Sequence, residues 1–384
     1  MRQIDSSTYD QVIQQYKNTT DLQSQQKVAD AYVEKGIAQG QAGLFEEAVK
    51  SFDAVVDAHE NATDAGLQEQ VAKALFNQGV AYNQLLEPEK ELAYYDKLIG
   101  LYKNTTHVAV QEQVANAFLN KAGIVGLMEN SIKEIMVYEE LIELYGESEE
   151  ASIQERVAEA LMNKAVVRGQ TNKVAESFTL LDEVVARYQD VKDTGLQVQV
   201  AVALSNKGML HEAQEQFDEA MGVFEGLIER YQNADDVVLK EQLANAYMHK
   251  SVLQTRMEKH DEAITTLDEL LVLLDGAKED ALQELAAWAL YGKAFIYVQK
   301  DSADEALCIY GELVERYGSV ERVSLQNLVA KALLEQGTGL ELLGDRKQAL
   351  EKYRVVIDRY NKSDDAALRE QVKLAHSAIQ ELMV

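Results

Sequence analysis

The stretch EQVAKALFNQGVAY at residues 69–82 returns as EQVANAFLNKAGIV at 112–125 and as ERVAEALMNKAVVR at 155–168. Aligned on its Val-Ala pair, the phrase places Val28, Val71, Val114, Val157, Val200, Leu243, Ala286, Val329 and Val372 in one column, every interval being 43 residues. Such regularity, without one insertion, means that each unit makes the same contacts with its neighbours, as in a solenoid built by stacking. Two columns flanking one variable residue are alanine in all eight full repeats, from Ala29 and Ala31 to Ala330 and Ala332. Seven residues after the first of these alanines stands a small residue: Gly36, Gly79, Ala122, Ala165, Gly208, Ser251, Ala294 or Gly337. Small residues let two helix backbones approach closely, at a cost in helix propensity where the residue is glycine.

Further on, Phe52, Tyr95, Tyr138, Leu181, Phe224, Leu267, Tyr310 and Tyr353 share a column, and Val55, Leu98, Leu141, Val184, Leu227, Leu270, Leu313 and Val356 share another three residues later. That spacing puts both columns on one face of a second helix, the face available to fill the gap over the small residues. Each repeat reads as a first helix of about 20 residues, a short turn such as QAGLFEE or LLEPEKE, and a second helix of about 15. Polar stretches such as ENATDAG and NKSDDAA separate repeats and supply Asp, Ser and Thr as N-cap candidates. Pro88, the one proline of the chain, sits where it can open a helix without losing a bonded N–H.

Tyr32, Gly36, Gly43, Ala48, Phe52 and Val55, with similar residues in the later repeats, resemble the tetratricopeptide (TPR) helix-turn-helix signature. The resemblance implies an all-α, right-handed α-solenoid of about 18 helices. Three departures stand out: a period of 43 instead of 34, no proline after the second helix, and Lys or Gln before the small column. The extra residues lie between one second helix and the next alanines, and are expected to lengthen the helices. Residues 1–384 read as a single solenoid: a half repeat at 1–20 consisting of a second helix alone, eight repeats at 21–365, and a capping first helix at 366–384. In the cap, Lys373 and Gln380 replace the first alanine and the small residue, as expected where no second helix packs.

Composition narrows the function classes. The formal charge is −28, from 65 acidic against 37 basic residues, with no Lys/Arg-rich run, which argues against nucleic acid. No stretch of 18 apolar residues and no N-terminal signal region occurs, and the lone Cys308 has no internal disulfide partner. A cytoplasmic, non-membrane protein is expected, in which the N-x-[ST] matches at Asn18, Asn61, Asn104 and Asn361 mark a recurring turn. The six histidines fall in different columns, and no phosphate-loop, nucleophile-elbow or zinc-helix motif is present, so neither enzyme activity nor a metal or cofactor is expected.

One letter of the phrase is not demanded by stacking. Asn77, Asn120, Asn163 and Asn206 share a column that the outer repeats fill with Glu34, His249, Gly292 and Glu335. A helix wheel turns this column toward the concave side, and a carboxamide offers the donors and acceptor that pair with a peptide backbone. The TPR resemblance carries a peptide-contacting role onto these four residues. Trp288, in a column otherwise mostly polar, has Tyr291 and Phe295 nearby and Gly292 one turn on, a notch suited to an anchor. The next column, Lys35, Lys121, Lys164, Lys207, Lys250 and Lys293, has an acid 18 residues later in five of six cases, and bridges within each repeat are expected.

These features point to a scaffold that binds a partner protein or extended peptide in its concave groove, through Asn77, Asn120, Asn163, Asn206, Trp288 and Tyr291. The acidity favours partners with basic segments. A second possibility is a sensor or regulatory segment of a larger protease, kinase or NTPase. A third is self-association through Ile4, Tyr9, Val12 and Ile13 of the opening half repeat.

Overall fold

Each 43-residue period folds as two helices, because its apolar columns recur at three-and-four spacing and its polar breaks recur at fixed points. The computed structural model describes residues 7–18 and 20–383. First helices are α2 (Leu22–Gln41), α4 (Ala65–Gln84), α6 (Val108–Leu127), α8 (Ala151–Gln170), α10 (Thr194–Ala213), α12 (Val237–Arg256), α14 (Asp280–Gln299), α16 (Val323–Leu342) and α18 (Ala366–Leu382). Second helices are α1 (Ser7–Tyr16), α3 (Phe45–His59), α5 (Pro88–Tyr102), α7 (Ser131–Tyr145), α9 (Val174–Tyr188), α11 (Phe217–Tyr231), α13 (His260–Leu273), α15 (Ala303–Tyr317) and α17 (Arg346–Tyr360). Full first helices are 20 residues long and second helices 15, apart from the 14 of α13, so the added length does lie in the helices.

The chain forms two compact units, residues 1–203 and 204–384, with the division inside α10. In the first unit α3, α5 and α7 each pack on their own first helix and on the first helix of the next repeat, as α3 does on α2 and α4. Successive first helices α2, α4, α6 and α8 also touch, whereas among the described residues no two second helices do. First helices therefore make an inner wall and second helices an outer one. The second unit repeats this scheme, with α12, α14, α16 and α18 as the inner wall.

The alanine columns are the contact layer: all sixteen residues are buried, Ala72 and Ala74 among those with no exposed surface. The two second-helix apolar columns are buried throughout, from Phe52 and Val55 to Tyr353 and Val356. A methyl group added at Gly36 or Gly208 would lie 2.5 Å from the ring of Phe52 or Phe224, and the Tyr95 and Tyr353 rings crowd Gly79 and Gly337 in the same way. The glycines are the hollows that the rings fill.

Two local devices were not evident beforehand. One replaces the missing proline: Gln154 Nε2 donates to the carbonyls of Tyr145, Gly146 and Ser148 at 3.1, 3.3 and 2.8 Å. Gln68, Gln111, Gln197 and Gln283 cap the equivalent loops, so one side chain holds each of these five turns between repeats. The other lies in the turn inside each repeat. Gly43, Leu86, Glu129, Asn172, Glu215, Glu258, Asp301 and Gly344 form one column, all with positive φ, such as 59° at Leu86. There the Glu87 N–H reaches the Tyr82 carbonyl at 3.0 Å, closing the helix end in the left-handed conformation. Pro88 opens α5 as expected, and Asp21, Asp64, Asp236 and Asp365 cap their helices.

At the ends, Lys373 and Gln380 are exposed on α18. On α1, which packs against α2, Ile13 is buried and Tyr9 and Val12 are half-buried, while Ile4 lies outside the described residues.

Leu86 is 87% exposed, so little packing is lost on replacing it. Leu86→Gly removes a left-handed penalty of about 1–2 kcal/mol against a glycine entropy cost of about 0.5–1. It should raise the urea midpoint by the equivalent of about 0.5–1 kcal/mol at unchanged m-value.

Candidate functional site

The lysine column pairs differently from the expectation. Lys121 Nζ lies 2.6 Å from Asp96, Lys164 2.9 Å from Glu139, Lys250 3.1 Å from Glu225 and Lys293 2.5 Å from Asp268. Lys35 meets Asp10 at 2.7 Å. Each acid stands 25 residues before its lysine, on the second helix of the preceding repeat. These bridges join repeats; they do not join the two helices of one repeat. Gln78, which replaces lysine, donates to Asp53 at 2.6 Å. Burial pushes the Asp53 carboxyl up, and this neutral hydrogen bond offsets only part of that.

The asparagine column runs along the same seam. Asn120 Nδ2 donates to the Tyr95 hydroxyl at 3.0 Å, and Asn163 holds the corresponding position relative to Tyr138, whose hydroxyl donates to Glu134 at 3.5 Å. Thus Asn120-Lys121 addresses Tyr95-Asp96, and Asn163-Lys164 addresses Tyr138-Glu139. Where the preceding repeat has Phe52, Asn77 Nδ2 turns instead to its own helix, at 2.8 Å from the Lys73 carbonyl. Among the described residues no hydrogen bond reaches the carbonyl oxygen of Asn77 or Asn120. Asn206 lies half-buried on the part of α10 that belongs to the second unit.

Three residues beyond the asparagines runs a column that reading for core positions passed over. Val80, Val166, Met209, Val252 and Phe295 in it are 37–47% exposed, and Ile37 is half-buried. An apolar side chain recurring at a solvent-facing helical position is the signal that could have found it. In the first unit Val80 walls two grooves. One, about 410 Å³, lies between α2 and α4 over Phe45 and Phe52, and Asn77 lines it. The other, about 330 Å³, lies between α4 and α6 over Tyr95 and Glu91, and Asn120 lines it. Glu91 accepts from Asn83 at 3.1 Å, and burial pushes its carboxyl up.

In the second unit the aromatic residues do converge. Trp288 is 44% exposed and meets the edge of Tyr291 at 5.9 Å between centroids; Tyr291 in turn meets Tyr310 at 5.5 Å. Lys331 Nζ stands 5.6 Å over the indole. At Gly292 an added methyl would meet only Leu267, at 3.7 Å, an ordinary contact that a small side chain could make. A groove of about 520 Å³ runs from Tyr291 past Glu335 and Tyr353 to Leu374 and Glu381 of α18.

Residues 73–105, 202–234 and 331–363 each match the family model for the tetratricopeptide repeat. The chain carries tetratricopeptide repeats. Each match joins the latter part of a first helix to the following second helix, the segment that holds the small residue and the ring above it. Among solved structures, the apo form of RapI is similar over 93% of this chain and 98% of its own, at TM-score 0.56 and 10% identity. The signal transduction ATPase with a tetratricopeptide repeat sensor from Pyrococcus horikoshii is similar over 98% of this chain and 55% of its own, at TM-score 0.54 and 11% identity. The apo quorum sensor NprR from B. thuringiensis covers 92% of each chain at TM-score 0.49 and 14% identity. The likenesses to RapI and to the ATPase establish the helical repeat fold. No curated protein sequence matches the chain. Among the described residues no helix is long and apolar enough to cross a membrane.

The seam predicts a double-mutant cycle. Lys121→Ala and Asp96→Ala should couple by about 0.5–1 kcal/mol in urea unfolding, whereas Lys121→Ala and Glu139→Ala should be additive.

Proposed function

We propose that the inner walls of this TPR array hold an extended segment of a partner protein. The observation that carries this is Val80: an apolar side chain kept exposed between two grooves, each bordered by an asparagine whose carbonyl oxygen is open to a peptide N–H. One amide N–H each of Asn77 and Asn120 is engaged by the protein itself, so the ladder contributes the carbonyl acceptor and the second N–H, and the apolar column contributes the contact area. Trp288 and Tyr291 are the anchor of the second unit, where a partly exposed indole against the edge of a tyrosine fits the usual form of a binding hot spot. A net charge of −28 favours partners with basic segments. A regulatory role within a larger effector is a second reading, supported by the fold shared with the sensor-bearing ATPase over 98% of this chain.

The test is an array of random decapeptides probed with the purified chain, followed by fluorescence polarisation of the peptides retained. Val80→Glu should weaken them about tenfold or more, as expected for a charge forced into an apolar contact, and Asn77→Ala with Asn120→Ala should weaken them less. Melting temperature should be nearly unchanged for Val80→Glu, whose position faces solvent, and somewhat lower once Asn120→Ala removes the partner of the Tyr95 hydroxyl. Unaltered affinity in both the Val80→Glu variant and the double asparagine variant would overturn the groove reading.

A further inference from the structure

We infer that the groove beside Trp288 in the second unit takes a lysine or arginine side chain, with Glu335 as its counter-ion. This rests on reading the inner wall as a binding surface, and it names the chemistry that one part of the wall selects.

Glu335 occupies the column that holds asparagine in the first unit. Its carboxylate is half-buried on α16, and among the described residues it forms no ion pair; the Tyr291 hydroxyl donates to it at 3.5 Å. Burial pushes its carboxyl up, the sign of a charge held without a cation. The contrast with the first unit is specific. Tyr95 has its hydroxyl bonded by Asn120, but Tyr310, which stands at the equivalent place before Glu335, has a buried hydroxyl with no hydrogen-bond partner. Substituting Glu for Asn therefore weakens the seam locally, and leaves an acid facing a cavity.

The cavity suits a long cationic side chain. Its 520 Å³ is open to solvent, the rings of Tyr291 and Tyr353 flank it, Leu374 offers apolar surface for a methylene stem, and Glu381 adds a second carboxylate. The cation nearest in sequence, Lys331, also lines the groove, yet its ammonium lies over the Trp288 ring instead of pairing with Glu335. It marks the indole face as cation-attracting and would compete with an incoming basic residue for that face.

The experiment uses the intact chain and the fluorescence of Trp288, its one tryptophan. Capped pentapeptides Ala-Ala-Lys-Ala-Ala and Ala-Ala-Arg-Ala-Ala are titrated against the norleucine counterpart, which keeps the stem and lacks the charge. The basic peptides should bind at least about tenfold more tightly than the norleucine peptide, a difference of about 1.4 kcal/mol. Glu335→Gln should abolish that preference, and Lys331→Ala should strengthen binding of the basic peptides. Glu335→Asn guards against a folding artefact: it restores the Asn–Tyr pairing of the first unit, so it should raise the melting temperature while losing the preference. Equal binding of the basic and norleucine peptides, or a preference that survives Glu335→Gln, overturns the inference. If no pentapeptide binds at the notch while array decapeptides still bind the chain, this inference fails and the broader groove reading stands. If the array is silent but Glu335-dependent binding of the lysine peptide is seen, the broader reading fails and this one survives.

Discussion

A ring from one helix resting in the hollow of a glycine on another sets the spacing of the two walls. In four repeats the hollow is glycine beneath Phe52, Tyr95, Phe224 and Tyr353, and in the others Ala or Ser faces Tyr138, Leu181, Leu267 or Tyr310. The buried alanines then let the next repeat dock against the same second helix. Because a second helix such as α3, α5 or α15 is shared by two first helices, a single apolar face serves two interfaces, and the period cannot drift without breaking both. The constancy of 43 residues follows from this sharing.

The polar groups of the seam are organised around that packing. An Asn-Lys pair on one first helix addresses a Tyr-acid pair on the preceding second helix, as Asn120 and Lys121 do with Tyr95 and Asp96. Half-buried charges at an interface cost free energy unless they are paired or hydrogen-bonded: where lysine gives way to Gln78, the Asp53 carboxylate keeps a hydrogen bond from the Gln78 amide in place of an ion pair. The seam absorbs much of the polarity of the inner wall. What it leaves over, namely asparagine carbonyl oxygens and the exposed column through Val80 and Phe295, is the surface available to a partner.

Variation in one column gives each repeat its own chemistry without disturbing the stack. In the second unit His249 stacks on Phe224 at 5.0 Å, Gly292 leaves the column without a side chain, and Glu335 places an acid under Tyr291. A repeat protein can alter such positions one at a time because each faces only the preceding repeat and the groove. Recognition can then differ along the array while the Ala, Gly and ring columns stay constant.

The repeat, the pairing of long and short helices, the buried alanines and the ring over the small residue were all legible in the sequence, because burial imposes composition on every copy of a column at once. Exposed columns carry weaker constraints, so the apolar wall at Val80 and Phe295 was passed over, and left-handed turn positions such as Leu86 were hidden because most are not glycine. The partner of each lysine was undecidable from sequence for a stricter reason. The acid 18 residues ahead and the acid 25 residues behind belong to the same column, one period apart, so any strictly periodic sequence supports both pairings equally. Only the packing of each first helix against the preceding second helix, which brings Asp96 to Lys121 and Tyr95 to Asn120, decides between them.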